Sequence, residues 1–249
     1  MSKSNLQTII NYSPNFDPIK RKFRDIKFII FHYTGMKNER LATKRLIDSK
    51  SKVSSHYLIR NDGKIVVLVP DLYIAWHAGV SSWKKFKFLN KNSIGIEISN
   101  PGHKFDYKKF SYKQVNSILV LSKFLVNKYK IKPENILGHS DIAPNRKKDP
   151  GEKFPWQYLY KNKISYWHDF DERFLKEKRA QKISAKEKRK FIRNLNKIGY
   201  SKNLKINQNK YLKIITKAFQ RRFRQKMING IADKECLIIS DNLKKKIKN

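Results

Sequence analysis

At 249 residues with 39% hydrophobic content, the chain is long enough for one sizeable domain, alone or with a small appendage, around a real core. Its 57 Lys+Arg against 20 Asp+Glu give a formal charge of +37. The bases are scattered over the whole length with no helix-turn-helix, zinc finger or single-strand stacking module, so nucleic acid is not an expected partner. A single cysteine, Cys236, excludes an intramolecular disulfide and a Cys-based zinc cluster.

The first 24 residues are polar, with Pro14 and Pro18, and are expected to be an N-terminal extension. They hold no apolar signal core and no small-residue cleavage site, and no run of about 18 apolar residues follows anywhere to span a membrane. A cytoplasmic location is expected, with a periplasmic or secreted route, processed or non-classical, as the alternative. KFIIFHYTG then reads as a short buried strand that ends in polar residues and Gly35. NERLATKRLIDSK has helical spacing of Leu41, Ala42, Leu46 and Ile47. SSHYLIRNDGKIVVLVPD gives two β-rich runs around Asn61, Asp62 and Gly63, a hairpin signal.

Next come AWHAGVSSW, a Gly-, Ser- and Trp-containing loop, and SIGIEISN, another short apolar strand. SYKQVNSILVLSKFLVNKYK is an amphipathic helix that Pro133 closes off. Strands alternating with helices predict an α/β fold, a mixed central sheet flanked by helices, over residues 25–162. Residues 163–183 are charged, without glycine or proline, and are expected to be a linker or a solvated helix. Three short amphipathic helical patterns over 184–249 then predict a small C-terminal three-helix domain.

Two histidines stand where chemistry is usually presented in such folds. His32 follows the apolar run FIIF, and His139 follows ILG, both at strand ends. Each alone also reads as an ordinary capped strand-end residue. Asp149, before Pro150 and Gly151, is either a turn-starting aspartate or a third partner to the two imidazoles. Two neutral imidazoles and one carboxylate with an open fourth position is the arrangement of a catalytic zinc site, whose bound water becomes a usable nucleophile near neutral pH.

Lys147 then gains a purpose, since an ammonium there stabilises the oxyanion formed when water attacks a carbonyl. The competing reading takes Arg146, Lys147 and Lys148 as general basic surface. Glu97, between Ile96 and Ile98, is the candidate base, because an acid in an apolar strand is costly unless it is exposed or functional. Partial burial would raise its pKa towards the working range of a general base. Its alternative is the solvated face of an edge strand. Trp76, His77 and Trp83, beside Gly79, suit a wall that stacks on a sugar or peptide; an aromatic-rich loop is the plainer reading.

In this order FHYTG, SSHYLIRNDGKI, AWHAGVSSW, SIGIEISN and GHSDIAPNRKKDPGEKFPW resemble the zinc-dependent N-acetylmuramoyl-L-alanine amidases, the superfamily that includes peptidoglycan recognition proteins. The resemblance implies that His32, His139 and Asp149 are zinc ligands, that Glu97 is the catalytic base and that Lys147 stabilises the transition state. Tyr33, Trp76, His77, Ala78, Trp83 and Arg146 are expected to bind substrate.

The tail motifs LNKIGY and KAFQRRFRQKMINGIADKECL resemble the three-helix peptidoglycan-binding module of some of these enzymes, with Asn229 and Cys236 where Asp and Thr are more common. The long-tailed members most resembled are AmiD-like; cytoplasmic relatives are AmpD-like. The implied activity is hydrolysis of the amide between N-acetylmuramic acid, or its anhydro form, and L-alanine of peptidoglycan or muropeptides. The alternative is a non-catalytic peptidoglycan sensor of the same fold.

Overall fold

The structure, a computed structural model, describes residues 6–202, 204 and 206–247. The first five residues of the expected extension lie outside the described residues. In chain order the strands are β1 (Thr8–Ile10), β2 (Phe16–Asp17), β3 (Phe28–Tyr33), β4 (Tyr57–Ile59), β5 (Ile65–Val67), β6 (Ile74–Ala75), β7 (Ser82–Trp83), β8 (Phe86–Lys87), β9 (Ser93–Ile98) and β10 (Ile136–Gly138). The α-helices are α1 (Glu39–Ile47), α2 (Tyr112–Tyr129), α3 (His139–Ile142), α4 (Trp156–Lys161), α5 (Glu172–Lys178), α6 (Ala185–Ile198), α7 (Gln208–Phe223) and α8 (Lys234–Lys246).

Six strands form the central sheet in the order β1-β5-β4-β9-β3-β10. It is mixed, as expected: β4 and β5 pair antiparallel as the hairpin around Asn61–Gly63, and every other neighbour pairs parallel. Parallel strands covered on both faces carry near-continuous apolar runs, which is why FIIF and SIGI were readable as strands. Phe28, Ile29, Ile30 and Phe31 are all fully buried.

Local signals set the helices. Ser111 caps α2 through a reciprocal capping box with Gln114, and the helix buries Ile118, Leu121 and Leu125. Ser184 and Glu187 do the same for α6, which buries Phe191, Leu195 and Ile198.

Two parts of the chain differ from expectation. The N-terminal stretch is built into the sheet: β1 lies parallel to β5 at its edge, and Arg21 is buried, donating to the carbonyls of Asp71 and Ser93. The stretch 163–183 is packed, not a free charged span. Its ISYW motif buries Ile164, Tyr166 and Trp167, and Leu175 of α5 is buried as well. A charged average composition concealed these apolar anchors.

The three C-terminal helices form as predicted, and their core is continuous with that of the sheet. Phe31 and Trp156 belong to the same buried cluster as Phe191, Phe219 and Leu243. Arg222 of α7 reaches Asp141 of α3 at 2.8 Å, with both side chains almost fully buried.

Candidate metal centre

Sheet register assembles the site. In the parallel β3–β9 pair His32 is the Cα partner of Glu97, so both side chains leave the same face side by side. In the β10–β3 pair Gly138 is opposite Phe31, which sets His139 beside His32 one residue further on. All three strands present the same ends here, the carboxyl edge where parallel sheets place ligands. The loop that follows α3 returns to the site through Ser140, whose backbone N–H donates to the carbonyl of Asp149 at 2.8 Å.

His32 Nδ1 lies 2.9 Å from His139 Nδ1 and 3.0 Å from Asp149 Oδ2, and His139 Nδ1 is 3.0 Å from the same oxygen. The three residues are buried and could hold a metal ion. Burial first, then the neighbouring His139, pulls the His32 pKa down to about 4, so its ring is neutral at pH 7. Burial alone would raise Asp149, but His139 and His32 hold its carboxyl well below the usual range. Two imidazoles and an ionised carboxylate thus converge on one point, the donor set of a cation site.

Glu97 is of the opposite kind. Burial, reinforced by the charge of Asp149, pushes its carboxyl up to about 8, against the pull of Lys147 and Arg45. Its Oε2 is buried without a hydrogen-bond partner among the described residues. One carboxylate is thus ionised for binding while the other sits poised to exchange a proton.

A cavity of about 950 Å³ opens over these groups. Its lining carries six cations, Lys37, Arg45, Lys104, Arg146, Lys147 and Lys148, against the two acids Glu97 and Asp149. The Lys147 side chain is partly buried. Tyr33 and Trp76 also line the cavity. Tyr33 is tied at the rim by its hydroxyl, 2.9 Å from His103 Nδ1, and Trp76 donates its indole N–H to Asp17 at 2.8 Å.

Other expected substrate-binding residues have different surroundings. Trp83 is 2% exposed and packs against Tyr200 with ring centroids 4.9 Å apart, so it does not line the cavity. It reads as a wall aromatic in sequence because nothing local announces the tail that covers it. Ala78 is fully buried and presents its carbonyl to His139 Nε2 at 3.1 Å. Arg146 donates to the carbonyls of Ala78 and Val80, fastening the 78–80 loop to the loop carrying Asp149. His77 lines the cavity floor and contacts His32 Nε2 through Nδ1 at 3.1 Å.

Sequence reasoning missed Arg45, Lys37 and Lys104 as cavity cations, since lysines and arginines occur everywhere in this chain. It also missed Ser93 and Asn90, which support the 77–78 segment. The one available signal was the alternation that puts Ser93 on the same face of β9 as Glu97.

The profile of the N-acetylmuramoyl-L-alanine amidase family matches residues 22–152. The chain is 37% identical over 235 residues to the N-acetylmuramoyl-L-alanine amidase AmiD of Escherichia coli (strain K12), covering 89% of this chain and 83% of that protein. The structure is similar to that of E. coli AmiD in complex with its substrate anhydro-N-acetylmuramic acid-L-Ala-D-gamma-Glu-L-Lys, with a TM-score of 0.81, 33% identity and coverage of 92% and 93%. It is also similar to AmpDh3 from Pseudomonas aeruginosa in complex with anhydromuramic pentapeptide, with a TM-score of 0.78, 28% identity and coverage of 99% and 98%.

Proposed function

Because this chain belongs to the N-acetylmuramoyl-L-alanine amidase family, we propose that it hydrolyses the amide joining the lactyl group of N-acetylmuramic acid, or its anhydro form, to L-alanine of the stem peptide, in cell-wall recycling or remodelling. The observation that carries this reading is the buried His32, His139 and Asp149 triangle with a proton-holding Glu97 beside it in one cleft. The anhydromuramyl peptides in the two related complexes support the substrate class.

We assign zinc to the triangle. Ligand atoms about 2.0–2.2 Å from a tetrahedral zinc stand roughly 3.3–3.6 Å apart. The observed separations of 2.9–3.0 Å need to open by only a few tenths of an ångström, so the residues fit the ion. When bound, zinc supplies Lewis acidity that polarises the scissile carbonyl and acidifies the attacking water.

The protein's own groups do the rest. In its ionised form, which a cation at the triangle would favour, Glu97 takes the proton from the attacking water and delivers it to the leaving amine of L-alanine. The Lys147 ammonium meets the negative charge that develops on the carbonyl oxygen. Tyr33 and Trp76 flank the substrate, and the cations of the cavity face the carboxylates of the stem peptide.

In this reading residues 25–162 are the catalytic part, the described residues 6–24 of the expected extension and 163–183 are packed against it, and 184–249 is a peptidoglycan-binding-like helical part. The test is release of stem peptide from an anhydromuropeptide by zinc-loaded protein. Loss of release after chelation and its return with zinc are expected; binding without release would make the protein a sensor.

A further inference from the structure

The imidazoles of His32 and His139 can present Nδ1 to a cation only if each neutral ring carries its proton on Nε2. For His139 the carbonyl of Ala78, 3.1 Å from Nε2, decides the matter, because a carbonyl only accepts, and the Arg146 guanidinium 3.4 Å away is already donating to the carbonyls of Ala78 and Val80. For His32 no carbonyl among the described residues is in hydrogen-bonding contact, and the decision is relayed through other side chains.

The relay starts at a backbone oxygen. Ser93 Oγ lies 2.5 Å from the Leu89 carbonyl and donates its one proton there. With that proton committed, Ser93 Oγ accepts from His77 Nε2–H, 3.2 Å away. His77 is buried, with no carboxylate in hydrogen-bonding contact among the described residues, and is neutral. Its Nδ1 therefore has no proton and accepts from His32 Nε2–H at 3.1 Å. The one competing acceptor for the His32 proton among its contacts is Asp149 Oδ2, 3.0 Å from Nδ1; the relay opposes it and leaves the Nδ1 lone pair for a cation between His139 Nδ1 and Asp149 Oδ2.

The neighbouring chain is built around this relay. The backbone N–H groups of His77 and Ala78 both donate to Asn90 Oδ1, so one segment, pinned at one point, orients both imidazoles. Ser93, Gly95 and Glu97 alternate along one face of β9. A Cβ on Gly95 would lie 2.4 Å from Cγ of the His77 ring, so only glycine admits that ring. The SIGIE motif thus supplies an anchor, a space and an acid at successive positions of one face. Both ring nitrogens of His77 are engaged, which leaves it no polar atom for substrate.

We propose that His77, anchored by Ser93 and admitted by Gly95, is a positioning residue that sets the tautomer of His32 and through it the metal affinity of the site. The proposal rests on the ligand set assigned above. Outer partners of metal-bound histidines typically change affinity about 10–100-fold when removed.

The test uses the full chain in zinc-free and zinc-loaded forms. Long-range proton–nitrogen NMR of the zinc-free wild type is expected to show His32 protonated on Nε2 at neutral pH. Zinc affinity, read by competition with a chelator, is expected to fall about 10–100-fold in His77→Leu. His77→Asn has the same branched heavy-atom skeleton as Leu but keeps an acceptor near the Nδ1 position, and it is expected to retain most of the affinity. An Nδ1-protonated His32 in the wild type, or equal zinc affinity in the Leu and Asn variants, overturns the proposal. A wild type that binds no zinc overturns the ligand set instead, and the tautomer reading in that protein still decides the relay.

Discussion

His32 and Glu97 are direct Cα partners across the parallel β3 and β9 strands, so a neutral imidazole and a proton-holding carboxyl leave one face of the sheet side by side. Residues that are 65 positions apart in the chain are fixed next to each other by backbone hydrogen bonds, not by a flexible loop. A site built on strands keeps its donor geometry without ordering cost on binding.

Glu97→Gln removes the proton carrier while leaving His32, His139 and Asp149 in place. Zinc binding is expected to persist, and turnover to fall about 10²- to 10⁴-fold, the usual contribution of a general acid–base group. Paired zinc titration and steady-state kinetics check this. Loss of zinc binding along with turnover would show that Glu97 supports the ligands instead.

The raised pKa of Glu97 also predicts a pH dependence of stability in the zinc-free protein. Below its ordinary value of 4.5 the carboxyl is protonated in both folded and unfolded chains. Between 4.5 and about 8 the unfolded chain releases the proton and the folded chain keeps it. Its contribution is therefore fully present at low pH and is lost as pH rises through that window, levelling off above it. Denaturant unfolding of wild type and Glu97→Gln across the window is expected to show the wild type losing ground to the variant as pH increases.

Lys147→Ala is expected to lower kcat about 10²- to 10³-fold, the typical cost of one oxyanion-stabilising donor, with little change in KM. Lys148→Ala, on the exposed rim, is expected to leave kcat nearly unchanged. Equal effects of the two variants would mean that both act only through the general positive field of the cleft.

Asp141 connects the tail to the metal loop. It accepts from the Gly138 backbone N–H, the Tyr200 hydroxyl and the Arg222 guanidinium at 2.7–2.8 Å, two residues beyond His139. Removing one partner of a buried ion pair strands the other, so Arg222→Met is expected to cost about 3–5 kcal/mol of unfolding free energy. Tyr200→Phe is expected to cost roughly 1 kcal/mol. Chemical denaturation measures both; near-zero values would mean that the tail is docked by its apolar core alone.

Much of this was legible in the sequence because it is local. FIIF and SIGI read as strands since strands buried on both faces are continuously apolar, and α2 read as a helix from its apolar spacing and its Pro133 stop. The grouping of His32, His139 and Asp149 came from motif resemblance and strand-end placement, and the structure does bring them together. What stayed hidden depends on long-range pairing. Nothing local in TII marks β1 as a sheet edge, nothing near Trp83 shows that Tyr200 will cover it, and AWHAG reads as a substrate wall until register places Ser93 and Gly95 beneath His77.

The most direct measurement is mass spectrometry of the products formed from intact sacculi and from purified anhydromuropeptides by the zinc-loaded protein, with chelated protein and Glu97→Gln as controls. A free peptide beginning with L-alanine and a muramyl fragment with an unmodified lactyl carboxylate, together one water heavier than the substrate, are expected, with neither product in the controls. Intact substrate after incubation with the zinc-loaded wild type, or cleavage at any other bond, would contradict the amidase activity.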